Sequence, residues 1–521
     1  VVSVLAGYGP MGGGRIEVDG QFPLGETLSV AAGIAGFDDE YASGSDAVFG
    51  SYAVAARWRP ADDVLVLPFW SRVDAWDREA APLYVAAPGT LPPKVERRRY
   101  IGPDWADYRN VATNYGVLGR APLPGGFDLA AGLFRSVNDT RENHAHLLTG
   151  VLPDGSALRR ISRDPRQQLA STSGELRVSR AWVAGDWAHA LHASLRGRKR
   201  DSLYGGGAAV DFGPTNVADV IDAPEPAYVL GARTRDVVEQ WTGGLAYDVR
   251  WRGRGSLMLG LQRTDYRKTV RRPDAADAKV HDPAWLYNAA ASWTLTPNLA
   301  LYGSVARGLE ESGVAPDSAA NRTQALPAII TDQWDVGVRW ILPHNLRLVA
   351  GAFQVKKPYF APDEANVFLE MGAVRHRGVE MSLTGSPVEG LTLVAGAVLM
   401  QPRVTGEPVA QGRIGREPVG QTERVLTLSG TWALPVEGLS ATFGANHHGR
   451  RVADQLNHAY VPAATIVDLG LRYRFDVGET PALLRLQVTN VTNELDWKVI
   501  SSGTFEVNAP RTAALFLTID F

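Results

Sequence analysis

Apolar and polar residues alternate with a period of two along most of this chain, and sustained helical periodicity is scarce. In one clear stretch, Leu426, Leu428 and Trp432 fall on one face, whereas Thr427 and Ser429 fall on the other. Because successive side chains of a β-strand point to opposite faces, this pattern predicts half-buried strands. Each such stretch ends at a turn rich in Pro, Gly, Asn or Asp, the residues that tight hairpins require.

The alternation predicts twenty-two antiparallel strands. They lie near 1–9, 14–22, 27–36, 47–59, 64–77, 108–122, 127–138, 171–183, 187–200, 233–251, 255–268, 282–295, 299–308, 330–342, 346–357, 374–386, 391–401, 421–434, 439–450, 463–475, 482–493 and 510–521. Ten short turns and eleven longer loops alternate between them, so both termini lie on the short-turn side. The long polar segments 78–107, 139–170, 201–232, 309–329, 402–420 and 494–509 match no strand pattern.

Aromatic residues beside the turns distinguish a membrane barrel from a soluble sandwich, which also alternates apolar and polar faces. The predicted membrane girdle consists of Trp58, Trp182, Trp187, Trp251, Trp340, Trp432, Phe475 and Phe521. Such a girdle, an even strand number and short turns opposite long loops are typical of outer-membrane barrels. A sheet that spans lipid must also close, because an open edge would leave backbone groups unpaired. The alternative interpretation, ordinary Trp residues at strand ends, stays open.

Composition narrows the functional classes. The 521 residues include no Cys, which excludes disulfides, thiol catalysis and Cys-ligated metals. The net charge of -3 argues against wrapping of a nucleic acid. The mean hydropathy of -0.12 and the lack of an 18-residue apolar run argue against membrane-spanning helices. HExxH, GxSxG and P-loop motifs are absent, so the chain is not predicted to be an enzyme, and no cofactor is expected.

Five segments, in order along the chain, carry a resemblance to a known family. They are 301–308 (LYGSVARG), 331–340 (TDQWDVGVRW), 372–380 (GAVRHRGVE), 484–494 (LRLQVTNVTNE) and 510–521 (PRTAALFLTIDF). Together they resemble the barrel strands of TonB-dependent outer-membrane receptors, most closely the ferric-siderophore branch. The resemblance implies a multi-pass protein of the Gram-negative outer membrane that takes up a ferric siderophore or a similar scarce ligand.

The resemblance also implies a plug domain and a TonB box, which are expected to be absent from this chain, because position 1 already reads as the first barrel strand. Residues 1–521 are therefore predicted to form one barrel domain. With a plug, the family's mechanism is active uptake coupled to the TonB complex. The alternatives are a plug-less, porin-like passive channel and a barrel that only displays loops to a phage, bacteriocin or partner.

Ferric siderophores are often anionic or aromatic, so arginines and aromatic residues of the long loops are the candidate ligand contacts. They are Trp76, Arg97, Arg98, Arg99, Tyr100, Trp105, Tyr204, Arg271, Arg272, Tyr359 and Phe360. Rings of positive charge steer anions. Arg97–Arg99 could instead be solvated or face lipopolysaccharide, and Tyr359 and Phe360 could belong to a girdle or a loop core.

The other predicted partners follow from the barrel. They are outer-membrane lipid and lipopolysaccharide, with TonB only if a plug is present; no nucleic acid is expected, and the barrel is expected to be a monomer. His447 and His448 are not predicted to hold a metal, because adjacent strand residues point in opposite directions.

Overall fold

The computed structural model describes residues 1–316, 318–322 and 324–521. Asp317 and Thr323, in the predicted loop 309–329, lie outside the described residues. Almost all the secondary structure of the described chain is β-strand, with one four-residue helix, α1 (Glu407–Ala410). Within the described residues, no helix is both long enough and apolar enough to cross a membrane.

The described residues form thirty strands. In chain order they are β1 (Val2–Tyr8), β2 (Gly14–Pro23), β3 (Leu28–Glu40), β4 (Asp46–Ala61), β5 (Val64–Asp77), β6 (Pro82–Ala86), β7 (Tyr108–Leu123), β8 (Phe127–Val151), β9 (Ser156–Arg163), β10 (Gln167–Ala184), β11 (Trp187–Tyr204), β12 (Ala208–Asn216), β13 (Thr234–Trp251), β14 (Gly255–Arg271), β15 (Ala278–His281), β16 (Ala284–Thr296), β17 (Leu299–Glu310), β18 (Ile329–Ile341), β19 (Arg347–Pro362), β20 (Phe368–Val388), β21 (Leu391–Gly406), β22 (Arg424–Ala433), β23 (Leu439–His448), β24 (Arg451–Val452), β25 (Tyr460–Val461), β26 (Ala464–Val477), β27 (Thr480–Thr489), β28 (Trp497–Ser501), β29 (Thr504–Val507) and β30 (Thr512–Asp520).

Twenty-two of these strands form a closed antiparallel ring. Each wall strand pairs with the next one along the chain, and β1 closes the ring on β30, with Ser3 opposite Asp520 and Tyr8 opposite Leu515. The wall strands are β1–β5, β7, β8, β10, β11, β13, β14, β16–β23, β26, β27 and β30. Closure leaves no wall edge unpaired, which a lipid-spanning sheet requires. The predicted fold class and strand count are confirmed.

Connection lengths alternate around the ring as predicted. Ten turns of two to five residues join the wall strands at the end that carries both termini. One of them, 252–254, is centred on Gly253, whose positive φ of 69° is a conformation that glycine adopts without strain. The eleven opposite connections are longer overall, although 9–13, 41–45 and 363–367 have only five residues each.

The two faces of the wall can be followed from strand to strand, because residues that pair across an antiparallel ladder point to the same side. Leu428 lies between Ala395 and Ala445 on the outer face. The adjacent Thr427 lies between Gly396 and Asn446 on the lumen face. The wall therefore has an apolar outside and a polar inside, as the alternation in the sequence predicts.

A second sheet covers part of the opening at the long-loop end. Its order is β12, β9, the upper part of β8, β6, β29 and β28, and the pairing of β6 with β8 is parallel. We call this sheet and its connecting loops the cap. Its core contains Tyr84, Leu148, Val151, Trp497 and Phe505, all nearly or fully buried.

The cap corrects the prediction that segments 78–107, 139–170, 201–232 and 494–509 contain no strands. β8 runs to Val151 instead of ending near 138, and β6, β9, β12, β28 and β29 were not predicted. β6, β9, β12, β28 and β29 have four to nine residues each, and they pair with one another or with the part of β8 that extends beyond the wall. The pattern was also hidden because Arg159 occupies an inward position in β9 and is 2% exposed. Two further short pairings, β14 with β15 and β24 with β25, were missed for the same reason of length.

Candidate ligand site in the lumen

A run of basic side chains lies on the lumen face of neighbouring wall strands. Arg196, Arg198 and Arg200 are spaced two residues apart on β11, so their side chains point to the same face. Arg177 joins them from β10, and Lys268 joins them from β14 on the other side of β13. We call these five residues the cationic stripe.

The lower part of the stripe borders a recess of about 690 Å³. Its charged lining residues are Arg177, Arg196 and Arg198, with Glu175 as the single carboxylate. Arg177 lies 4.0 Å from Glu175, and Arg196 donates a hydrogen bond of 2.5 Å to the side chain of Gln262. Arg198 pairs with Glu311 above the recess, and the two remaining guanidinium groups, of Arg177 and Arg196, outnumber the single lining carboxylate, so this recess is cationic.

The upper part of the stripe is paired with carboxylates and holds a loop against the wall. Glu311 contacts both Arg198, at 3.5 Å, and Arg200. Lys268, which is almost fully buried, lies 3.1 Å from Asp236 and donates a hydrogen bond of 2.6 Å to the carbonyl of Ser312. Residues 311–313 are therefore fixed to the lumen face by charge-assisted bonds.

A second recess of about 950 Å³ lies beside these anchored residues. Arg200, Lys268, Asp236 and Glu311 line it, together with Tyr204 and Arg272, which belong to the predicted ligand contacts. Both recesses are within the usual size range of small-molecule sites, roughly 300–1,000 Å³. The stripe links them, since Arg198 lines the lower recess and Arg200 the upper one.

The remaining predicted contacts in segment 78–107 lie in the cap, where two of the three consecutive arginines fasten loops together. Arg97 donates hydrogen bonds to the carbonyls of residues 493, 494 and 509 and to the side chains of Asn493 and Asn508. Arg98 donates to Glu40 and to the carbonyl of Met11. Arg99 has one exposed ion pair, 3.1 Å from Glu96.

Tyr100 and Trp105 also hold the cap together. Tyr100 donates a hydrogen bond of 3.1 Å to the carbonyl of Pro103, and burial raises the pKa of its phenol. Trp105 donates a hydrogen bond of 2.6 Å to the carbonyl of Ala223 and packs edge-on against His144. These two aromatic rings stabilise the loops that cover the mouth.

Two buried polar residues of the cap were missed by sequence reasoning. Arg159 donates hydrogen bonds to the carbonyls of Ile101 and Asp219, and burial lowers its pKa. His146 is fully buried without a hydrogen-bond partner on either ring nitrogen. Its burial, together with the nearby charge of Arg159, lowers the pKa of His146 to about 3, so the imidazole is neutral at pH 7.

The other predicted contacts are dispersed. Trp76 lies on the outer face of β5, with the guanidinium groups of Arg78 and Arg109 each 5.8 Å from its ring. Arg271, at the end of β14, pairs with Asp277 at 3.3 Å. Tyr359 and Phe360 lie on β19 opposite a bulge at Met371 of β20, and Phe360 stacks on Phe368 at 6.4 Å. The structure thus brings Tyr204 and Arg272 to the recess beside the stripe, and places the rest in the cap, on the outer face or at a strand end.

The predicted girdle residues lie near the short turns. Trp58, Trp182, Trp187, Trp340, Trp432 and Phe521 are exposed. Trp251 stacks on Trp187 at 5.1 Å, and Phe475 stacks on Tyr473 at 5.3 Å. Their contact with lipid stays a prediction.

The structure contains no evident metal centre among its described residues. No group of three or more His, Asp or Glu side chains there has the arrangement that a metal ion needs. His447 and His448 occupy opposite faces of β23, and the Nδ1 atom of His447 lies 2.9 Å from the hydroxyl of Thr465.

The stripe itself was not predicted. The sequence signal is the run Arg196-Gly-Arg-Lys-Arg200, in which alternate residues are arginine, but a polar strand face alone does not indicate a binding site. Arg177 and Lys268 lie beside that run because β10 pairs with β11, and β13 pairs with both β11 and β14.

Comparison with known proteins agrees with this architecture. Residues 67–493 match the family model described as TonB dependent receptor-like, beta-barrel. The chain belongs to the TonB-dependent receptor family. That assignment confirms the resemblance seen in the sequence, and the barrel is accordingly an outer-membrane protein of bacteria.

Individual relatives in this family are distant. The chain is 32% identical to the ferrichrome receptor FcuA of Yersinia enterocolitica over 203 residues, which cover 38% of this chain and 26% of that relative. The matched stretch thus spans about a quarter of FcuA's length.

Solved structures are similar over the whole chain. BauA, the ferric preacinetobactin receptor of Acinetobacter baumannii, superposes with a TM-score of 0.86 at 19% identity, covering 100% of this chain and 79% of BauA. The siderophore receptor PiuA of the same organism gives a TM-score of 0.86 at 15% identity, covering 100% of this chain and 81% of PiuA. At these identities the likeness establishes the barrel fold.

Proposed function

We propose that this barrel forms the wall of a TonB-dependent transporter that takes up a ferric siderophore or a similarly scarce anionic ligand. The observation that carries the proposal is the cationic stripe beside two recesses of ligand size. The stripe has five cations, and its neighbours Glu175, Asp236 and Glu311 supply three carboxylates, which leaves two positive charges in excess. An anionic ligand would be attracted to that excess.

The family and its named relatives support iron as the cargo. FcuA is named a ferrichrome receptor, and BauA a ferric preacinetobactin receptor. A catalytic role is not part of the proposal.

We also propose that residues 1–521 act as one barrel domain and that a plug, from whatever source, occupies the lumen during transport. A ring of this size is too wide for its own side chains to fill. The solved receptors that cover this whole chain are longer than it, since the match spans 79% of BauA and 81% of PiuA. Coupling to TonB depends on such a plug, and a closed ring without a free edge favours a monomer.

Lipopolysaccharide is the partner that we propose for the outer face near the long loops. There, Arg263 lies 5.3 Å from the ring of Trp285, and Arg307, which also pairs with Asp332 at 2.7 Å, lies 5.3 Å from the ring of Tyr287. Cations above an aromatic band fit the phosphate groups of a lipid surface.

Ligand binding tests the central proposal. Purified full-length protein would be titrated with ferric hydroxamate, catecholate and carboxylate siderophores, with intrinsic tryptophan fluorescence as the signal. We expect one class to bind, and we expect Arg177→Gln to weaken that binding by about tenfold, about 1.4 kcal/mol, because a charge-assisted bond is lost. Arg177 suits the test because its ion pair is long, at 4.0 Å from Glu175, and does not hold the loop.

Arg472→Gln is the matched control, because Arg472 lies in a lumen recess on β26, roughly opposite β10 in the ring. The affinity of this control variant for the ferric siderophore is expected to equal that of the wild type. If no ferric complex binds, and none supports growth of a strain that depends on this protein for iron, then the siderophore proposal is wrong.

Conductance separates the transporter from a passive pore. The chain in liposomes is expected to give a large, steady conductance that added plug polypeptide abolishes. If cells that contain the protein as encoded show the same open conductance, then the porin-like alternative is correct.

A further inference from the structure

A second site lies on the outer face of the wall, at the short-turn end. Trp187, Trp251 and Trp293 come from β11, β13 and β16, which the wall places close together around β14. Trp187 stacks on Trp251 at 5.1 Å, and Trp293 meets Trp251 edge-on at 5.6 Å. Trp187 and Trp293 stay well exposed.

These rings border an apolar recess of about 480 Å³. Its other lining residues include Leu257, Leu301 and Gly303. Because Gly303 has no side chain, the recess is shallow at that position. A Cβ atom added at Gly303 would lie 3.4 Å from the Asp335 carbonyl oxygen and 4.0 Å from Val336. A Cβ atom is therefore accommodated there, and the lack of a side chain at residue 303 leaves this part of the recess open.

The turn directly below the recess is unusual in charge. Among the ten short turns, 252–254 (Arg-Gly-Arg) alone contains an arginine or a lysine. Six of the other turns carry carboxylates and no cation, at Glu26, Asp62, Asp63, Asp186, Glu389, Glu437 and Glu479. The one short turn that contains arginine thus lies beside the tryptophan cluster.

Arg252 and Arg254 are both exposed. The guanidinium of Arg254 lies 4.7 Å from the ring centroid of Trp251, which directs one cation to the edge of the recess. The backbone N–H of Arg252 donates to the backbone carbonyl of Asp186, so the neighbouring turn, with its single carboxylate, lies next to a turn with two arginines. A net positive charge remains at the headgroup level.

We propose that this part of the wall is a specific site for an anionic phospholipid of the periplasmic leaflet. An acyl chain fills the recess between the tryptophans, and the phosphate lies against Arg252 and Arg254. Along the membrane normal, the apolar groove and the two cations follow one another in the same order as the acyl chain and the phosphate of a phospholipid. The site is separate from the lumen and does not depend on the proposed transport.

Native mass spectrometry of the full-length protein, extracted in mild detergent with phosphatidylglycerol and phosphatidylethanolamine in equal amounts, tests the proposal. We expect one retained phosphatidylglycerol per barrel. The double variant Arg252→Gln/Arg254→Gln is expected to lower that occupancy by about tenfold, because charge-assisted contacts to the phosphate are lost. Gly303→Leu is expected to lower it similarly by filling the recess.

Two control variants separate these effects from folding. Arg120→Gln removes a cation from β7, elsewhere on the wall, and Trp340→Leu removes an exposed girdle aromatic outside the cluster. Both should retain the lipid, and all variants should show the shifted gel mobility of a folded barrel when unheated. Equal retention of both phospholipids, retention of lipopolysaccharide instead, or full occupancy in folded Gly303→Leu would each overturn the proposal.

Discussion

Adjacent residues in the middle of β22 provide a direct test of the wall's two faces. Leu428 lies on the outer face of β22 (Arg424–Ala433), and Thr427 lies on the lumen face. We expect Leu428→Arg to destabilise the barrel and Thr427→Arg to have little effect, although both place the same charge in the same strand.

The surroundings of Leu428 determine the magnitude. Its partners on the two neighbouring strands are Ala395 and Ala445, and its nearest neighbours on the same face of β22 are Leu426 and Gly430. None of these can pair with a guanidinium. Both ends of β22 are four or five residues away, roughly 13–17 Å along the strand at about 3.3 Å per residue. An arginine there cannot easily reach water, so the cost should be about 2–4 kcal/mol, the value for the bilayer midplane.

Folding into lipid vesicles measures this difference. The fraction of folded barrel at increasing urea gives the free energy of unfolding, and gel mobility without heating reports the folded form. Thr427→Arg should stay within about 1 kcal/mol of the wild type, since its side chain enters the aqueous lumen. Equal stability of the two variants would show that the faces are assigned wrongly.

The cap allows two further predictions. Arg97→Ala should speed hydrogen exchange in residues 494–509, because charge-assisted hydrogen bonds that contribute about 3 kcal/mol are lost. Arg99→Ala should change the exchange rate little, because an exposed ion pair contributes under about 1 kcal/mol. Since the pKa of His146 is about 3 in the folded cap and about 6.5 in an unfolded chain, acidification to pH 5 should weaken the cap by about 2 kcal/mol. Protease sensitivity at pH 7 and pH 5 measures this loss of stability, which should disappear in His146→Leu. If the pH dependence of that variant were unchanged, then protonation of His146 would not be its cause.

The wall could be predicted from the sequence because its information is local. In a strand with one face in lipid and one in water, apolar and polar residues alternate, and each hairpin contains the residues that its own turn requires. Strand number, parity and both faces follow from those two signals. Boundaries were less accurate where wall strands continue above the membrane, as β8 does to Val151.

The cap could not be predicted because its information is not local. Buried and exposed residues alternate along β9, but the inward positions include Arg159, whose guanidinium donates to carbonyls of two distant loops. Similarly, Arg97 resembles a ligand-binding residue in the sequence, yet its hydrogen bonds fasten segment 87–107 to segment 490–511. Which arginine meets a ligand and which meets a carbonyl depends on loop packing.

The pairing of the cationic stripe explains how a binding site could keep so many arginines in one sector of the wall. Like charges two residues apart on a strand repel each other, and Glu311 reduces that repulsion by contacting both Arg198 and Arg200. Below it, Arg177 and Arg196 have only Glu175 as a lining carboxylate and keep their excess charge. In the lower recess an anion therefore competes only with the long contact between Arg177 and Glu175, at 4.0 Å, whereas in the upper recess it competes with the closer pairs of Glu311. We accordingly expect the stronger contribution to affinity from the lower arginines.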